Sequence, residues 1–124
     1  MLKEICGHTF IADLIPKGGI VIDLGGNFGD FSRAMRKMFD ARVFTVEPVP
    51  ELFNRLPKDD KITNIQAAIS NKNGEVEIFL PEDRCATVSE KAGGKSIIAR
   101  EYRYSDLVKD FGITKIDLLK MDIE

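Results

Sequence analysis

At 124 residues, with 44% hydrophobic and 31% charged side chains, the sequence has the make-up of one globular domain burying roughly two-thirds of its unfolded surface. A formal net charge of −2, with no basic stripe interleaved with aromatics, argues against a nucleic-acid partner. Cys6 and Cys85 lie far apart, with no CxxC and only His8 near Cys6, so both read as small buried or partly buried groups and no metal site is expected.

Met1 to Gly19 holds no long apolar run and reads as neither signal peptide nor membrane span, which makes a cytoplasmic location, without a membrane partner, the expectation. Phe10, Ile11, Leu14 and Ile15 share one helical face, and Pro16-Lys17-Gly18-Gly19 ends the segment. A lead-in helix within 1–18 is predicted, packed on the sheet or over the ligand site. The apolar, β-branched run from Ile20 to Leu24 then breaks off at glycines. Beyond them Phe31, Ala34, Met35, Met38 and Phe39 recur at the helical period. This is the first half of a nucleotide-binding βαβ unit. Gly25, Gly26 and Gly29 would let the main chain approach a ligand, with free N–H groups of the helix start as donors.

Spacing narrows the ligand. No frame supplies G-x-G-x-x-G, because Asn27 and Asp30, or Phe28 and Phe31, stand where the later glycines belong, so a dinucleotide is disfavoured. Asp23, just before the turn, would repel a phosphate and suit an ammonium or sulfonium, which points to a cationic nucleoside. Asn27 either adds a polar side chain to the turn or tolerates a left-handed conformation.

Arg42 to Glu47 reads as the second strand. It ends in the carboxylate that such folds use for ribose hydroxyls, before Pro48 and Pro50 stop it and Val49, Leu52, Phe53 and Leu56 mark a short helix. Residues 62–69 read as a third strand, and 70–74 as a turn whose Asn73-Gly74 pair favours a hairpin into the strand from Glu75 to Leu80. Pro81 to Lys95 shows no period and reads as a loop, either a functional lid or disorder. A mixed-face strand over 97–104 follows. Ser105 then caps a short helix with Leu107, Val108 and Phe111 on its buried face and Gly112 at its end. The last parallel strand runs from Ile116 to Met121, with its carboxyl end at Asp122.

Three blocks, Val21 to Ser32, Val46 to Pro50 with Leu52-Phe53 behind it, and Lys115 to Glu124, resemble the FkbM-type S-adenosylmethionine-dependent methyltransferases. The likeness covers nearly the whole chain from Gly19 on, and K-I-D-x-L-K-x-D-x-E is its most family-specific part. It implies an α/β fold: a Rossmann-like class I methyltransferase sheet in strand order three-two-one-four, ended after the fourth parallel strand, with the β-hairpin as an embellishment. The family continues past Glu124 with Gly-x-Glu and further strands, so a single, C-terminally incomplete domain over 1–124 is expected. An exposed fourth strand inviting a homo-oligomer goes with it.

The implied cofactor is S-adenosylmethionine, and the implied activity is O-methylation of a hydroxyl on a small molecule, sugar or glycan. The cofactor contacts fall at Asp23, Gly25, Gly26, Asn27, Phe28, Gly29, Glu47, Pro48 and Ala68, and the catalytic positions at Asp122 and Glu124. The last two could act as a base, as metal ligands or as partners for the cofactor's ammonium, or simply form a polar strand terminus. His8 is a conceivable base, though a lone His near the N-terminus is more often incidental. A non-catalytic cofactor-binding or interaction module is the rival reading.

Overall fold

The computed structural model describes residues 1–80 and 95–122. The loop expected over Pro81 to Lys95, along with Cys85 and Glu124, falls outside the described residues or at their margin. The central sheet has four parallel strands, β3 (Ile20–Leu24), β4 (Arg42–Val46), β5 (Ile62–Ile65) and β9 (Leu118–Met121), in the order β5-β4-β3-β9. That is the order three-two-one-four which the resemblance implies. It puts the glycine turn after β3 between the ends of β4 and β9. The last strand begins two residues later than its apolar pattern suggests, because Asp117 is spent accepting from the Ile20 amide (2.8 Å).

Two apolar layers flank this sheet. Ile22, Leu24, Phe44, Val46 and Ile65 pack beneath Tyr102, Leu107 and Ile113, which come from β8 (Lys95–Arg103), α3 (Tyr104–Asp110) and the segment after it. Val21, Val43 and Ile62 pack against Phe31 and Met35 of α1 (Asp30–Phe39) and against Phe10 and Ile15. The buried stripe of α1 is Phe31, Ser32 and Met35, whereas Met38 is 40% exposed, so a serine stands where the apolar period gave no place to one.

The N-terminal segment is a β-hairpin, not a lead-in helix. β1 (Leu2–Ile5) pairs antiparallel with β2 (His8–Ile11), and the two turn residues Cys6 and Gly7 have φ of 52° and 80°. Both central residues left-handed is the two-residue turn that matches strand twist, and a glycine in mid-segment penalises so short a helix. Of the supposed helical face, Phe10 and Ile15 are buried while Ile11 and Leu14 are exposed. Cys6 is exposed at the turn, against the expectation of burial.

The expected third strand divides between two sheets. β5 stays parallel to β4, whereas β6 (Ala68–Ser70) pairs parallel with β8 in a separate three-stranded sheet, order β6-β8-β7, with β7 at Gly74–Leu80. The expected hairpin across Asn73-Gly74 therefore does not form. β7 pairs antiparallel with β8, which lies between it and β6. Asn73 has no left-handed φ and works as a strap, with Oδ1 accepting from the Arg103 amide (2.9 Å) and Nδ2 donating to Asp106 (2.7 Å). Arg103, not Ser105, occupies the N-cap of α3, without a side-chain cap bond, and Gly112 at φ 65° ends that helix region. No helix among the described residues is long and apolar enough to cross a membrane.

Candidate functional site

Side-chain alternation and register together create the site. Lys120 of β9 is level with Asp23 of β3, Asp23 with Thr45 of β4, and Thr45 with Asn64 of β5. A polar row therefore crosses the carboxyl end of the sheet on the α1 side, one step above the apolar row of Leu118, Val21, Val43 and Ile62. Ser32 of α1 closes it from above. The Ser32 hydroxyl donates to Asp23 Oδ2 (2.7 Å); its only hydrogen being used, it accepts from Thr45 Oγ1 (2.7 Å). Lys120 Nζ lies 3.0 Å from Asp23 Oδ1 and donates to the Gly25 carbonyl (2.8 Å).

Asp23 is thus an internal group. It is fully buried, burial pushes its carboxyl above the usual range, and Lys120 and Ser32 oppose that rise. The cation it was expected to find on a ligand is supplied by Lys120.

The glycines are also explained from within. Gly25 (φ 85°) and Gly26 both donate to the Val46 carbonyl (2.9 and 3.0 Å), and Gly29 donates back to Gly26 (2.8 Å). A Cβ on Gly26 would stand 2.3 Å from Thr45 Cγ2, and one on Gly29 2.4 Å from Pro57 Cδ. Close approach here is between parts of the chain, and the turn's own amides at 25, 26 and 29 are bonded within it, which leaves the N–H groups at the start of α1 as the donors expected there. Asn27, at φ 52°, is exposed and takes the left-handed alternative. Phe28 is half-buried beside it, its carbonyl accepting from Arg33 (2.9 Å).

Glu47, at the end of β4, reaches across to the turn. Its Oε1 accepts from the Asn27 amide (2.8 Å) and its Oε2 from Val49 (2.9 Å). The side chain is 4% exposed; burial raises its carboxyl above the ordinary range and the two amides hold it down. Pro48 is half-buried next to it, ahead of the short helix α2 (Pro50–Phe53). Ala68 is placed in the three-stranded sheet, level with Glu101.

Asp122 follows β9, its amide bonded to the Leu24 carbonyl (3.0 Å) and its side chain 67% exposed. His8 comes to it from the N-terminal hairpin, Nε2 lying 3.7 Å from Asp122 Oδ2 and the ring edge-on to Phe31 at 5.7 Å. Among the described residues no three His, Cys, Asp or Glu side chains cluster as metal ligands would. A separate cleft beyond α1, lined by Arg33, Arg36, Asp40, Lys58 and Asp59, has its charge largely consumed by the Arg36 pairs to Asp40 and Asp59.

The model of the methyltransferase FkbM domain matches residues 23–124, which include the end of β3, the glycine turn, β4, β5 and β9. The chain belongs to the FkbM methyltransferase family. A relative in the family's chemistry, the methyltransferase sdnD of Sordaria araneosa, is 26% identical over 98% of this chain and 63% of its own length. The chain therefore spans a little under two-thirds of that relative. No solved structure matches it.

Sequence reasoning did not place Ser32 and Thr45 beside Asp23 or His8 beside Asp122, and it offered Lys120 only as part of an exposed strand terminus, whereas Lys120 is buried. The places of Ser32, Thr45 and Lys120 are legible only once register is known. Ser32 did carry a signal, as a polar residue set between the buried Phe31 and Met35.

Proposed function

We propose that this domain binds S-adenosylmethionine at the carboxyl edge of β3, β4 and β9 and serves O-methylation of a hydroxyl on a small molecule, sugar or glycan. One observation carries the reading. The amides of residues 25, 26, 27 and 29 are committed to Val46, Glu47 and Gly26, so the glycine turn itself offers no phosphate cradle, while carboxylates stand at the ends of β4 and β9. A cationic nucleoside fits such an edge and a dinucleotide does not.

Glu47 is the residue to hold the ribose. Two backbone amides fix its carboxylate, and each oxygen keeps a second lone pair for one hydroxyl of a vicinal diol. Gly25 to Gly29 form the wall beside it, with Phe28 and Pro48 as the neighbouring apolar surface. Asp23 and Lys120 act from beneath by fixing the Gly25 carbonyl. Asp122 is the exposed carboxylate following β9, on the side open to the acceptor. Glu124 belongs to the same proposed edge by its place in the sequence. When bound, the cofactor supplies an electrophilic methyl group on sulfur; the protein's part is alignment and removal of the hydroxyl proton.

Calorimetric titration with S-adenosylhomocysteine is the test, since the demethylated product probes the site without turnover. Binding that Glu47→Ala weakens is the expected result. No heat with the homocysteine nucleoside, but binding of a nicotinamide dinucleotide, would overturn the reading.

A further inference from the structure

The chain contains one histidine, and the hairpin delivers it to the candidate site. In β1–β2 the residue pairs Lys3–Phe10 and Ile5–His8 share one face, which packs onto α1: Phe10 meets Phe31 and Phe39 edge-on at 6.4 and 6.2 Å, and His8 meets Phe31. The imidazole is held by a paired strand and an aromatic wall. Its side chain is 31% exposed, with Nε2 3.7 Å from Asp122 Oδ2. The charged groups around it are Asp122 just after β9, Lys120 of β9 and Asp23 of β3, while α1 presents the Phe31 ring, against which Lys120 also lies (5.8 Å). Since Asp23 and Lys120 neutralise each other, Asp122 is the carboxylate left to partner the imidazole.

We propose that His8 is the general base for the acceptor hydroxyl and that Asp122 is its positioning residue, a refinement that rests on the methyltransferase reading above. Nε2 is the nitrogen nearer the Asp122 carboxylate, at ion-pair rather than hydrogen-bond distance, so Nδ1 is left as the proton acceptor and the carboxylate stabilises the imidazolium that forms. In the step, the proton leaves the hydroxyl oxygen for the imidazole nitrogen. That oxygen forms the new bond to the methyl carbon, and the electron pair of the broken carbon–sulfur bond stays on sulfur. An imidazole suits this task better than a solvated carboxylate, because the side chain most basic near neutrality is the better proton acceptor there.

The test needs no identified acceptor. A 5′-haloacetamido-5′-deoxyadenosine places an electrophilic carbon where the methyl group would be presented, and an imidazole nitrogen in reach displaces the halide. The protein is used with Cys6→Ser and Cys85→Ser to remove competing thiols. Mass spectrometry should find the label on His8, labelling should be suppressed by excess S-adenosylhomocysteine, and Asp122→Asn should slow it severalfold without a matching loss of S-adenosylhomocysteine affinity. Label on another residue, labelling of His8 that the bound homocysteine nucleoside fails to suppress, or an unchanged rate in Asp122→Asn would each overturn the proposal while leaving cofactor binding standing. If calorimetry finds no S-adenosylhomocysteine binding at all, the methyltransferase reading itself falls and takes the base with it.

Discussion

Glu47 holds Asn27 by its amide, so the carboxylate at the end of β4 and the glycine turn after β3 are one mechanical unit. Glu47→Ala should weaken S-adenosylhomocysteine by roughly one to two decades. It should also lower stability by about 2 kcal/mol, because the buried Val49 amide and the partly buried Asn27 amide lose a charged acceptor. Calorimetry and urea unfolding measure the two effects separately. Full affinity in a folded variant would remove Glu47 from the site.

Lys120→Met leaves the Asp23 carboxylate buried without its cation, an error that costs about 3–5 kcal/mol in proteins. Adding Asp23→Asn should recover much of that loss, since the amide oxygen still accepts from Ser32 and no charge remains. Denaturant midpoints of the two single variants and the double variant form the cycle. Purely additive losses would contradict the pair.

Gly26→Ala should destabilise by about 1–3 kcal/mol through overpacking on Thr45 Cγ2. Thr45→Ser removes that methyl and keeps the hydroxyl on Ser32, so the double variant should regain stability. A Gly26→Ala protein that melts as the parent does, yet no longer binds the nucleoside, would return the glycine to a ligand-clearance role.

Asp117 is held below the usual carboxylate range by the Ile20 amide, with Lys115 adding to the effect. A lowered folded value means the ionised form is favoured by folding. Its contribution is therefore complete above the ordinary aspartate range and disappears as pH falls through the folded value. Asp117→Asn should be less stable than the parent at neutral pH, with the gap closing in strong acid. Urea midpoints across that range decide it, and a constant gap would be the contrary result.

The parallel core was legible because β3 and β4 are short, β-branched, mostly apolar runs cut off by glycines after Leu24 and by Pro48 after Glu47. Register was not legible. Nothing in the spacing of Asp23, Thr45 and Lys120 reveals that they stand level across three strands, because hydrogen bonds between distant segments set that alignment. The N-terminal helix misread arose because Phe10 and Ile15 satisfy helical spacing by coincidence, while the deciding feature was the backbone freedom of Gly7. Asn73-Gly74 failed as a hairpin signal for a related reason: β8 competed for both β6 and β7, and tertiary pairing outweighed the local turn preference.

The bond from Lys120 to Gly25 joins residues 95 apart. On a ribosome adding about 5–20 residues per second, the turn is made roughly 5 to 20 s before the cation that anchors it. During that interval β3, β4, β5 and α1 can gather their apolar faces, but the Asp23 carboxylate has only Ser32 for company and Gly25 lacks its tether. Closing so long a loop is a late event on entropic grounds as well. The edge proposed for the nucleoside is therefore the last part of the described fold to be completed, when β9 docks beside β3.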